Sequence, residues 1–130
     1  MSNESDPVKQ RAREARAFLE KKEAGRSEHL RQSFERAWRD FEAIVSLIIE
    51  NYAPKRIYQW GSLLDEGTFS EISDIDVALE GVTDPAVFLK LANEAEELTS
   101  FPLDIVQMEC IHPLHAEDIR RKGRLVYERK

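Results

Sequence analysis

A chain of 130 residues, 42% hydrophobic and 34% charged, has one domain's length and enough apolar material for a modest core under a highly charged surface. No apolar run approaches the ~18 residues that span a bilayer. The polar start MSNESDPVKQ shows no secretory signal, and the single cysteine, Cys110, has no internal disulfide partner, which fits a reducing cytoplasm. The formal charge of −6 argues against general nucleic-acid coating, because phosphate binding runs on Lys and Arg.

The elements follow from caps and periodicity. Asp6-Pro7 supplies an N-cap acid and a first-turn proline, so a helix is expected over 7–24, closed by Gly25. Its apolar stripe is thin (Val8, Ala12, Ala15, Leu19), which suits an exposed helix, a partner-docked one or a mobile N-terminus. Ser27 is expected to cap a second helix reaching about Asn51. There Leu30, Phe34, Trp38, Phe41, Val45 and Ile48 recur every three or four residues, flanked by Ala37 and Ile44. Pro54 ends it.

Arg56 to Trp60 reads as a short strand, broken by Gly61-Ser62. One helical turn over Leu63–Glu66 and a polar loop from Thr68 to Ser73 are expected next. From Asp74 to Leu79 apolar and other residues alternate with the strand period of two. Asp84-Pro85 repeats the cap-plus-proline signature and opens a helix with the stripe Phe88, Leu91, Ala92, Ala95 and Leu98. Leu103–Met108 reads as a third strand, His115–Lys122 as a short helix closed by Gly123, and Leu125–Tyr127 as a last strand. The order predicts an α/β (α+β) fold, a mixed sheet flanked by helices. Residues 1–26 are expected to be a helical extension and 27–130 the functional domain.

Charge is distributed unevenly along this framework. Residues 1–50 carry ten basic and ten acidic side chains, 51–110 three and twelve, and 111–130 six and three. Glu94, Glu96 and Glu97 fit a solvated helix face. The acids within strand-like runs fit that reading less well, and a bound cation would explain their crowding. Asp74 and Asp76, two apart on a strand, point to one face. Carboxylates that close repel, and Mg²⁺, which takes oxygen ligands from one or two carboxylates plus substrate phosphates, removes the repulsion. Asp104, in Leu103-Asp104-Ile105-Val106, joins the same patch if its strand is a neighbour. Three acids on one sheet face suit metal-assisted phosphoryl or nucleotidyl transfer. Gly61-Ser62, at a strand end before a helical turn, offers backbone N–H groups and a hydroxyl to phosphate oxygens.

The joint pattern Gly61-Ser62, eleven residues, Asp74-x-Asp76, then Asp104 on a later strand, resembles the signature of the DNA polymerase β nucleotidyltransferase superfamily, in particular its small stand-alone minimal nucleotidyltransferases. The likeness runs over roughly residues 28–128 and takes in the closing segment Ile119…Gly123-Arg124-Leu125-Val126-Tyr127-Glu128. It implies transfer of a nucleoside monophosphate from a triphosphate, ATP first among them, to a hydroxyl. It implies two Mg²⁺ ions on Asp74, Asp76 and Asp104, with Asp104 also acting toward the acceptor, and nucleotide binding by Gly61, Ser62 and Ser73. Short members are often encoded beside a helical HEPN-type toxin, and some adenylylate a toxin tyrosine. The implied partners are therefore a nucleoside triphosphate, such a toxin, or a second copy of the chain. The alternative is a catalytically silent antitoxin or scaffold. One departure favours it: many relatives have Arg soon after Gly-Ser, where this chain has Leu63, Leu64, Asp65 and Glu66. Lys55, Arg56 or a basic residue within 120–124 is the available substitute, although the Arg120-Arg121-Lys122 run also suits a helix C-terminal dipole. Trp60 is either core or a base contact. Cys110, His112 and His115 are soft-ligand types but lack a second cluster for zinc.

Overall fold

The computed structural model describes residues 6–64, 69 and 74–130. Helix α1 (Pro7–Tyr52) leads to strand β1 (Arg56–Trp60) and a 3₁₀ turn at Ser62–Leu64. Strand β2 (Ile75–Glu80), helix α2 (Pro85–Glu96) and strand β3 (Leu103–Gln107) follow, then helix α3 (Pro113–Lys122) and strand β4 (Arg124–Glu128). The four strands lie in the order β3-β2-β1-β4. β1 runs antiparallel to β2 and β4, and β2 is parallel to β3 through the crossover of α2.

The two Asp-Pro cap signatures act locally and hold. Asp6 accepts from Val8 N at 2.9 Å, and Asp84 accepts from Ala86 N at 2.9 Å and Val87 N at 3.2 Å. α3 uses the same device one residue type away: His112 caps it, its Nδ1 accepting from Leu114 N at 3.1 Å before Pro113. It therefore starts earlier than His115. The expected break at Gly25 is absent. Residues 7–52 form one helix of 46 residues, about 69 Å long at 1.5 Å per residue. A single helical glycine costs only ~1 kcal/mol relative to Ala, and the Ala, Arg, Glu and Lys around it favour the helix. Ser27 is consequently an interior residue, not a cap.

Strand alternation divides the sheet into two faces. Ile57, Ile75, Val77 and Leu79 pack with Ala37, Phe41, Ile44 and Ile48 of α1 and with Leu91 and Ala95 of α2. Tyr58 and Ala78 pack on the other side with Met108 and with Ala116 and Ile119 of α3. The result is three layers, α1 and α2, sheet, α3. Leu98, expected in the buried stripe of α2, lies beyond that helix and is exposed. No helix among the described residues is long and apolar enough to cross a membrane.

Every side chain from Pro7 to His29 is exposed, including Phe18 and Leu19. That half of α1 buries nothing, and shortening the chain to begin at Ser27 leaves a residue suited to capping the new end. Deleting residues 1–26 is expected to move the thermal midpoint by less than about 3 °C, since under 1 kcal/mol is at stake. Calorimetry of the two forms checks this.

Candidate functional site

On the α3 side of the sheet, side chains stand in rows set by register. Trp60 lies opposite Asp76, and Asp76 opposite Asp104. The next row holds Tyr58, Ala78 and Val106, and the third begins with Arg56 and Glu80. Ala116 and Ile119 of α3 cover the middle row. In the third row Glu80 is buried, with its carboxylate held by Arg56 at 2.8 Å and Arg120 at 3.2 Å. Burial pushes that carboxyl up, but the two guanidiniums outweigh it and hold it below the ordinary value. The first row has no such compensation.

Asp76 is buried at 9% exposure, whereas Asp104 and Asp74 are exposed. Asp74 stands just before β2 rather than within it. Burial, then the charge of Asp104, then that of Asp74 push the Asp76 carboxyl up to about 7 from 3.8. Each of these influences raises it. Among the described residues no three His, Cys, Asp or Glu side chains already stand in ion-holding geometry, so the acids are neighbours rather than a finished cage. The donors nevertheless fit a hard divalent cation: they are carboxylate oxygens, and the buried one has no counter-charge among the described residues.

Gly61 makes the approach to Asp76 possible. It has φ +83°, and a Cβ placed there would fall on Asp76 Oδ2, 2.9 Å from its Cγ. Ser62 follows at the start of the 3₁₀ turn, half-buried beside the glycine. Ser73, expected to contact nucleotide, and the greater part of the polar loop around it lie outside the described residues. Within the loop, Phe69 is buried against Phe34 and Phe101. Leu63 is fully buried in the core.

A cavity of about 360 Å³ opens beside Gly61, lined by Trp60, Leu64, His115, Lys122 and Gly123 among others. Trp60 is half-buried and meets His115 edge-on, with ring centroids 5.3 Å apart. Its Nε1 is buried without a hydrogen-bond partner among the described residues, as are both amide atoms of Gln59 on the opposite face. Sequence reading left His115 unplaced and did not assign Asp118, which also lines this cavity. The helical spacing of His115, Asp118 and Lys122 was the available signal. Cys110 is exposed and free, while His112 is occupied as a cap and His115 by Trp60.

Of the substitute cations considered, most are committed elsewhere. Lys55 lies at the far end of β1, where its backbone pairs with Glu80. Arg56 is bound to Glu80 and Glu128, and Arg120 to Glu80. Arg121 pairs with Asp118 at 3.0 Å. The guanidinium of Arg124 lies 6.0 Å from the Trp38 ring, on the α1 side.

A family described as Polymerase beta, Nucleotidyltransferase matches residues 42–130. No curated protein matches the chain by sequence. Among solved structures, that of the toxin-antitoxin MntA-HepT is similar with a TM-score of 0.54 and 18% identity, over 71% of this chain and 73% of the other. A toxin-antitoxin structure with AMP-PNP is similar with a TM-score of 0.55 and 22% identity, over 68% and 74% of the two chains. At these identities the likeness is one of fold.

Proposed function

Because this chain belongs to the polymerase β nucleotidyltransferase family, we propose that it transfers AMP from ATP to a hydroxyl acceptor, a tyrosine of a helical HEPN-type toxin, in the cytoplasm. Residues 27–130 would form the transferase domain and 1–26 an extension of it. The observation that carries the reading is the register of Asp76 with Asp104 beside Gly61, with the buried carboxylate lacking a counter-charge. The toxin-antitoxin structures of the same fold, one of them with AMP-PNP, support the choice of partner and nucleotide.

The chain's own groups have distinct tasks in this reaction. Asp74, Asp76 and Asp104 would hold two Mg²⁺ ions. When bound, these supply positive charge for the phosphates and the leaving pyrophosphate. Gly61 and Ser62 seat the triphosphate, and Ser73 is assigned to the same role. Asp104, exposed at the rim, orients the acceptor hydroxyl and receives its proton. The acceptor oxygen then bonds to the α-phosphorus as the bond to pyrophosphate breaks, in line.

A second reading, a silent antitoxin that binds without turnover, is favoured by one feature: Gly61-Ser62 is followed by Leu63, Leu64, Asp65 and Glu66, none of them a cation, and Leu63 fills the core. Incubation with Mg²⁺, ATP labelled at the α-phosphate and a HEPN-type toxin separates the two. Label on a toxin tyrosine is the expected result. A stable unlabelled complex would establish the silent form instead.

A further inference from the structure

We propose that Lys122, at the end of α3, is the cation that grips the nucleotide's phosphate chain beside Gly61-Ser62. The inference rests on the transferase reading and adds a binding residue to it. A triphosphate seated at Gly61 needs positive charge within reach, because hydrogen bonds between a cationic side chain and phosphate are charge-assisted. The turn that follows supplies none, since Leu63 is in the core and Leu64 lines the cavity.

Position then selects among the remaining cations. Arg56 and Arg120 neutralise buried Glu80 two rows away, and moving either would strip that carboxylate of part of its compensation. Arg129 is bonded to Ala53 O at 3.0 Å, near the end of β1 remote from Gly61. Arg36 lies over Phe101 at 5.5 Å, and Arg124 over Trp38, both rings packed with the α1 core. Lys122 alone among these lines the same cavity as Gly61, and it makes no ion pair with a described residue. Gly123 fixes where the lysine emerges. Its N–H donates to Ile119 O at 2.8 Å, and its Cα sits so close to Gln59 O that a Cβ would come within 2.8 Å. The end of α3 is thereby pinned against β1 immediately before Gly61. A four-carbon stem from this anchored backbone gives a mobile point charge suited to phosphate.

The test is equilibrium binding of ATP, ADP and AMP with Mg²⁺ to the full chain, to Lys122→Gln, to Lys122→Arg and to Arg124→Gln. Lys122→Gln is expected to weaken ATP binding about tenfold and AMP binding less, with arginine restoring most of the loss. Arg124→Gln is expected to bind as the wild type does. Lys122 is at the surface, so the thermal midpoint should stay within about 2 °C. Wild type that binds MgATP with Lys122→Gln binding equally well would overturn this assignment and leave the transferase reading standing. Wild type that binds no nucleotide would overturn both.

Discussion

Replacing Asp76 with asparagine is expected to make the metal-free protein more stable at pH 8 while abolishing Mg²⁺-dependent transfer. The sign follows from the proton balance. Asp76 ionises near 7 in the fold and near 3.8 in the unfolded chain. Between those values the native state holds a proton that the unfolded state has released. The stabilisation this gives is complete below about pH 4 and is lost as pH rises through about 7. At 1.36 kcal/mol per pH unit the gap is worth ~4 kcal/mol. Screening of the neighbouring exposed Asp74 and Asp104 reduces this to about 2 kcal/mol. Metal-free wild type should therefore lose stability between pH 5 and pH 8, and Asp76→Asn should follow a flatter line and lie above it at pH 8. Adding Mg²⁺ should stabilise wild type, more so at the higher pH, and leave the variant unmoved. Transfer should fall by at least ~10³-fold, about 4 kcal/mol of barrier. Urea unfolding at three pH values, with EDTA or with Mg²⁺, checks the first part. Parallel curves for the two proteins would refute the electrostatic account of the site.

How far such a site could be read in advance depended on how local its causes are. Asp6-Pro7 and Asp84-Pro85 cap helices through contacts two or three residues away, so a short window of sequence contains the whole mechanism. The alternation of Ile75, Val77 and Leu79 likewise announces a strand and the face it buries. The pairing of Asp76 with Asp104 was conditional on neighbouring strands, because register between segments 28 residues apart is set by how α2 packs. Gly25 was misread because its intrinsic cost is small beside the preference of its neighbours. The role of Arg56 was hidden for the opposite reason. Its partner Glu128 is 72 residues away, and no local pattern marks Glu80 as the buried acid that needs two guanidiniums.

The contrast between Glu80 and Asp76 supports the different roles proposed for them. Both are buried on β2, on the same face, four residues apart. The chain provides Glu80 with two arginines and Asp76 with two more carboxylates. Leaving the second unneutralised costs folding free energy in the absence of a cation. A bound cation would remove that cost, and this supports the first row of the sheet, rather than the third, as the proposed site.

The second large effect is expected at Gly61, where one methyl group should separate stability from activity. Gly61 and Gly81 both adopt left-handed backbone, at φ +83° and +92°, and at both a Cβ would collide with a neighbour. At Gly81 the neighbour is the Lys55 backbone nitrogen, 2.7 Å away, at the end of the sheet remote from the acids. At Gly61 it is the carboxylate of Asp76. Gly61→Ala and Gly81→Ala should each destabilise the protein by about 1–3 kcal/mol through backbone strain. Gly25→Ala, in open helix with nothing within 4 Å, should stabilise slightly. Assayed at a temperature where all are folded, Gly81→Ala should keep wild-type turnover. Gly61→Ala should lose about 10²-fold, because displacing the buried carboxylate by an ångström misplaces everything it holds. Equal turnover by the two variants would mean that Asp76 does not act from the position it occupies beneath Gly61.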